Sequence, residues 1–192
     1  MKFSRVFLTK GIGRCVIKDR NESAKLMSFE KALRDASIAP YNWVEVNSIF
    51  PPKAKLISRE EGISILNGKE GDQLFYVCAK QSSNKDGEQI GASVGIAMPL
   101  DGNMYGYLSE IHSPKTGESE KEIGDRAEDL AATMLAEIMD VEFDINQNWD
   151  EKKEIFHIDG RIVNTESLAC TAVSKLGYWT TVLVAAVLLP GD

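Results

Sequence analysis

Gln73-Leu-Phe-Tyr-Val-Cys-Ala-Lys80, Gln89-Ile-Gly-Ala-Ser-Val-Gly-Ile-Ala-Met98 and Met104-Tyr-Gly-Tyr-Leu-Ser-Glu-Ile111 follow closely on one another, separated by Asn84-Lys-Asp-Gly87 and Asp101-Gly102. The three segments are rich in β-branched, aromatic and small residues, and the breaks between them are turn sequences. This pattern predicts a meander of antiparallel strands. Small residues crowd Ala92–Ala97, which suits close packing against a neighbouring sheet. Upstream, Ser58–Leu66 reads as a short helix and Tyr41–Ile49 as a strand that Pro51-Pro52 stops. Phe29, Ala32, Leu33 and Ala36 recur at helical spacing behind a possible N-cap at Ser28, and Pro40 ends that helix. Arg5–Thr9 reads as a strand running into a glycine turn at Lys10–Gly13. Downstream, Ser119–Met139 is the longest amphipathic helix, with Ile123, Ala127, Leu130, Ala131, Met134, Leu135 and Ile138 on one face. Glu154–Ile162 and Trp179–Leu189 complete the strands; the last alternates so little that both its faces should be buried. Strands in series with few helices predict an α+β layered sandwich of mostly antiparallel sheets, in one domain spanning residues 1–192.

Composition removes several classes of function. The chain has 192 residues, 43% of them hydrophobic and 27% charged, a globular balance. Its 22 Lys and Arg against 29 Asp and Glu give −7, which argues against nucleic acid as a partner. No apolar run approaches the roughly 18–20 residues of a membrane-spanning helix, so no membrane partner is expected. Met1-Lys-Phe-Ser-Arg5 lacks the apolar core of a signal peptide. Cys15, Cys78 and Cys170 form no CxxC pair and read as reduced thiols of a cytoplasmic protein.

The chemistry left open is narrow. His112 and His157 are the two histidines. Neither has a partner at metal-ligand spacing, so no metal site is expected, and both read as surface or hydrogen-bonded residues at strand ends. There is no GxSxG elbow, and Gly11-Ile-Gly13 lacks the third glycine and following helix of a nucleotide loop. Attention falls on Asn42-Trp-Val-Glu-Val-Asn-Ser-Ile-Phe-Pro-Pro52. Taken alone, its Ser48 is a hydroxyl in the turn that ends a strand.

This segment resembles the self-cleavage site of the archaeal-type pyruvoyl-dependent arginine decarboxylases, where a Ser-Ser-Ile-x-Pro-Pro run is split before its second serine. The likeness is collinear over nearly the whole chain. Phe7–Gly13 resembles the family's opening strand, Ser28–Ala36 its first helix, and Ala92–Pro99 with Tyr105–Glu110 its central hairpin. Ala127–Leu135 resembles the long helix, and Trp179–Leu189 the closing strand.

The resemblance implies an αββα sandwich assembled as a homo-oligomer, a trimer of cleaved units with active sites between subunits. It also implies self-cleavage between Asn47 and Ser48, giving a β chain (1–47) and an α chain (48–192). Ser48 is then the precursor of a covalent pyruvoyl group, with no pyridoxal phosphate and no metal. Decarboxylation leaves a carbanion that no ordinary side chain can delocalise; a pyruvoyl ketone condensed with the substrate amine can.

By the same resemblance Glu110 is the proton donor, and Asn42 assists processing by polarising the Asn47 carbonyl. Glu30 binds the guanidinium of L-arginine through two parallel hydrogen bonds, while Leu26, Leu33 and Ile49 hold its methylenes. Asn47 departs from the serine common at that place. The attacking residue follows the bond, so the nucleophile is retained. The pieces 1–47 and 48–192 carry +4 and −11. The expected activity is conversion of L-arginine to agmatine and CO2. The alternatives are the same chemistry on histidine or lysine, and an unprocessed, non-catalytic paralogue.

Overall fold

A computed structural model describes residues 2–18, 21–115, 117–151 and 154–191. The elements in chain order are β1 (Phe3–Val16), α1 (Asn21–Asp35), β2 (Asn42–Glu45), β3 (Ile49–Phe50), β4 (Lys55–Leu56), α2 (Arg59–Leu66) and β5 (Gln73–Ser83). There follow β6 (Gln89–Pro99), β7 (Gly106–Ile111), α3 (Glu120–Ile138), α4 (Ile145–Asn148), β8 (Trp149–Asp150), β9 (Ile155–Ile158), β10 (Arg161–Val173) and β11 (Tyr178–Pro190). One sheet has the order β2-β5-β11-β1-β4 and the other β3-β7-β6-β10-β9-β8. Most neighbours are antiparallel; β1–β4 and β2–β5 are parallel.

The two sheets stack face to face. Val77, Ala79, Val182, Val184 and Ala186 of the first meet Ala92, Val94, Ile96, Leu108 and Cys170 of the second. Helices α1 and α2 cover the outer face of the first sheet, where Ala32, Leu33, Ala36 and Leu66 pack on Phe7, Leu183, Ala185 and Val187. Helix α3 covers the second. The architecture is therefore the expected αββα sandwich. Strand β11 is buried on both faces, as its lack of alternation requires. No helix among the described residues is long and apolar enough to cross a membrane.

Several local expectations are corrected. The meander is not one sheet: β5 pairs with β11, and β6 pairs with β7 and β10 in the opposite layer. The Asn84–Gly87 turn thus carries the chain between layers, because stacking buries both apolar faces where a flat meander would leave one bare. Lys10–Gly13 is not a turn. Strand β1 runs through it, and the glycines are there because α1 lies directly on the strand. A Cβ on Gly11 or Gly13 would collide with the Ala32 or Ser28 carbonyl oxygen.

Helix α1 begins before Ser28, which is wholly buried inside it and hydrogen-bonded to Lys25 and Thr181. The small face of β6 meets a helix rather than a sheet: a Cβ on Gly95 would strike the Ala127 carbonyl of α3. Glu154–Ile162, expected as one strand, is β9 and the start of β10 joined by a turn at Asp159-Gly160, and the rest of β10, with its polar Asn164-Thr-Glu-Ser167, was not read as a strand.

Helix α3 starts at the Ser119 N-cap with a reciprocal capping box to Glu122. Its Leu130 and Ile138, expected on the buried face, are exposed. Gly95→Ala should push α3 outward and cost about 1–3 kcal/mol by overpacking, measured as a lower urea midpoint.

Candidate active site

Residues 46–49 carry the chain from one sheet to the other. The Val46 N–H still donates to Tyr76 on β5 at 3.0 Å, extending the β2–β5 pairing by one residue. Two residues later the Ser48 carbonyl accepts from Leu108 N–H on β7 at 2.8 Å, and Ile49 pairs with Tyr107. Between these anchors the chain bends sharply. Ile49 N–H donates to the Asn47 carbonyl at 2.8 Å, a γ-turn centred on Ser48. Asn47 is exposed and Ser48 half-buried.

The Ser48 hydroxyl donates to Glu110 Oε1 at 3.3 Å. Successive side chains of a strand alternate faces, so Ser109 and Ile111 point to α3 while Leu108 and Glu110 point into the space between the sheets. Glu110 sits at the rim of that space, its side chain 25% exposed. The other oxygen, Oε2, lies 3.6 Å from His112 Nε2. Burial raises the Glu110 pKa above the usual carboxylate range. His112 and the Ser48 hydrogen bond act against that rise, and the charge of Glu45 adds to it. Cys78, nearby on β5, is no nucleophile: burial pushes its thiol up to about 12.

The structure joins Ser48, Asn47, Ile49 and Glu110 in one place. It does not bring Asn42 to the Asn47 carbonyl. Asn42 lies at the far end of β2, where its side-chain amide donates to the Gly71 carbonyl, and the donor on Asn47 is the Ile49 N–H. Glu30 is bonded to Arg34 one turn along α1, at 3.1 Å. Leu26 is 69% exposed, and Leu33 is buried under α1 with Ile38 and Leu74. A guanidinium pocket built from Glu30 and Leu26 is thus not closed within a single chain. Sequence reasoning missed the backbone donors of Ile49 and Leu108, which no side chain advertises. His112, expected as a surface or hydrogen-bonded residue at a strand end, lies one residue past β7, exposed and accepting the Lys80 N–H. An open cavity of about 950 Å³ lies elsewhere, among Asp125, Glu128, Trp149 and Glu166, and takes no wall from Ser48 or Glu110.

A model of the pyruvoyl-dependent arginine decarboxylase family matches residues 5–192. The chain belongs to this family. A family member from Nitrosopumilus maritimus, named a pyruvoyl-dependent arginine decarboxylase, is 48% identical over 186 residues, 96% of each chain. One from Methanosarcina acetivorans, named pyruvoyl-dependent arginine decarboxylase 2, is 45% identical over 184 residues, 95% of this chain and 94% of its own. One from Chlorobaculum tepidum, named a probable pyruvoyl-dependent arginine decarboxylase, is 48% identical over 187 residues, 97% of each.

The raised pKa of Glu110 has a consequence for stability. The folded state holds this proton more tightly than the unfolded chain, so Glu110 weakens the fold as pH rises through its folded pKa and costs nothing below the unfolded value. In a Ser48→Ala background, which removes the bond opposing the shift, Glu110→Gln should raise Tm at pH 7. The gain should vanish in melts at pH values below the ordinary carboxylate range.

Proposed function

We propose that this chain is a pyruvoyl-dependent arginine decarboxylase that makes its own prosthetic group from Ser48 and converts L-arginine to agmatine and CO2. The observation that carries the reading is the γ-turn at Asn47–Ser48, with the Ser48 hydroxyl against Glu110, in a chain of this family. For self-cleavage, Ser48 Oγ attacks the Asn47 carbonyl carbon. The Oγ–C bond forms, the C–N bond to Ser48 breaks, and the hydroxyl proton passes to the freed nitrogen. The Ile49 N–H is aimed at the carbonyl oxygen that gains charge, the arrangement that lowers such barriers. Loss of the Ser48 Cα proton then expels Asn47 as a carboxylate. Water replaces the nitrogen, releasing ammonia and leaving a pyruvoyl end on Ile49.

The residues present fit that group. Leu108 N–H already holds the Ser48 carbonyl, which becomes the amide carbonyl next to the new ketone. When bound, the group supplies a carbonyl that takes the substrate amine and draws off the electrons left by the departing CO2. The chain's own part is to hold that carbonyl on Leu108 and to keep a proton on Glu110 for delivery to Cα. Burial raises the Glu110 pKa and so keeps the acid form available. Asn42 contributes to maturation by fixing β2 to the Gly71 turn, so that β5 holds one side of the scissile bond. Glu30, with Leu26 and Ile49, receives the arginine side chain, and Leu33 anchors α1 beneath them from the core. Leu26 and the Glu30–Arg34 pair lie at the surface, which supports a site completed by another copy in a trimer. A cytoplasmic location is part of the same reading, with Cys15, Cys78 and Cys170 as free thiols.

Denaturing intact mass should show two chains, 1–47 and 48–192, the larger blocked at its N-terminus, and Ser48→Ala should show one. Cleavage at the same bond in Ser48→Ala would overturn the nucleophile. For the substrate, Glu30→Gln should raise KM for arginine with maturation unchanged, since a guanidinium loses its counter-charge. The parent should reject citrulline, which has the shape without the charge; equal use of both would overturn the role of Glu30.

A further inference from the structure

Strand β5 meets two different neighbours along the edge that faces away from β11. As far as Tyr76 it is paired with β2, and the Tyr76 carbonyl accepts from Val46 N–H at 3.0 Å. At Lys80 the backbone N–H donates to His112 Nδ1 at 3.3 Å. Between these two contacts lies Cys78. Alternation along the strand turns its N–H and C=O to the same edge, and among the described residues neither has a partner. Cys78 is 8% exposed, so this peptide is largely shielded from water. A shielded peptide without a partner is costly to the fold and calls for one.

Across the gap lies the candidate active site. From Val46 the chain runs through Asn47 to Ser48, whose hydroxyl is 3.3 Å from Glu110 Oε1. Glu110 Oε2 is 3.6 Å from His112 Nε2, and His112 returns to Lys80. These contacts close a ring whose far side is the stretch of β5 from Tyr76 to Lys80, about 13 Å long. After burial and Lys80, the charge of Glu110 is the strongest influence on the Cys78 thiol, so the carboxyl is close by.

We propose that the Cys78 peptide is the subsite for the α-carboxylate of the amino-acid substrate, with its N–H donating to a carboxylate oxygen. The Cys78 carbonyl, on the same edge, is available to the α-amino group. A neutral donor suits a group about to depart. A cation would grip the carboxylate in the ground state and lose that grip as CO2 leaves, whereas one amide orients the breaking bond at less cost. The Lys80 ammonium is engaged elsewhere, over the Phe29 ring at 4.8 Å. The inference rests on the decarboxylase reading above and adds where the reacting end of the substrate is held.

The test follows the Cys78 amide directly. Matured protein labelled with ¹⁵N-cysteine gives amide signals for Cys15, Cys78 and Cys170, and the signal lost in Cys78→Ser is assigned to Cys78. The probe is des-amino arginine, which keeps guanidinium and carboxylate but has no amine to react. Butylguanidine, which lacks the carboxylate as well, is the control. Des-amino arginine should move the Cys78 signal downfield and slow its hydrogen exchange about tenfold or more, and butylguanidine should do neither. Cys78→Pro removes an N–H that carries no ladder bond. It should lower kcat/KM for arginine about tenfold or more, while Ki for agmatine, which has no carboxylate, stays within about twofold. An unmoved Cys78 signal with des-amino arginine, an equal shift with butylguanidine, or equal losses for arginine and agmatine in Cys78→Pro would overturn the subsite. If Cys78→Pro does not mature, the amide signal alone decides. A parent protein that neither cleaves itself nor decarboxylates arginine overturns the underlying function instead.

Discussion

A chain can pass between two stacked sheets only at their rim, because the interior offers no partner for a crossing backbone. Residues 46–49 make that passage within a few residues. Val46 is still tied to β5, and Ser48 is already tied to β7. With only Asn47 between these anchors the chain bends in the γ-turn, and the γ-turn presents one carbonyl, one hydroxyl and one N–H to each other. The chemistry proposed for Ser48 is thus a product of layer spacing. It needs both sheets in place before the bond at Asn47 is bent, which ties maturation to completed folding.

Much of this was legible beforehand, for identifiable reasons. The unbroken apolar run of β11 announced a central strand, and the period of three and four in Ala127–Leu135 announced a helix. Ser48 and Glu110 were readable only through the likeness to a family, since a serine in a turn and a glutamate on a strand have many ordinary uses. Sheet membership was not readable. Asn84–Gly87 has the residues of a hairpin turn whether the next strand pairs with the last or stacks beneath it. Strand β10 was hidden because Thr165 and Ser167 point outward to bond Glu128 of α3, so polar residues fill positions where a buried strand should read apolar. The glycines of β1 misled for a related reason. They were read as conformational freedom, whereas Gly11 and Gly13 serve proximity to α1.

The site itself divides between side chains and backbone. Glu110 is a side chain on β7 whose face follows from the strand's alternation once the strand is known. The donors of Ile49 and Leu108 belong to peptide groups and depend only on register. Asn42 shows the reverse case, a side chain whose sequence position invited a direct role and whose amide is engaged with Gly71 at the other end of β2.

Strand β1 lies inside its sheet, between β11 and β4, and pairs with β11 from Phe3 to Val16. A cut at Asn47 therefore detaches, in the covalent sense, a piece that owns an interior rung of the fold. The native enzyme is indifferent to this, because the ladder holds. The denatured enzyme is not. An uncut chain that unfolds can return by itself, with β1 tethered to the rest, whereas a chain cut there would unfold into two molecules that must meet again by diffusion. Recovery then depends on concentration, and at high dilution the loss becomes permanent. Self-cleavage on these terms would turn a reversible folding equilibrium into a one-way commitment.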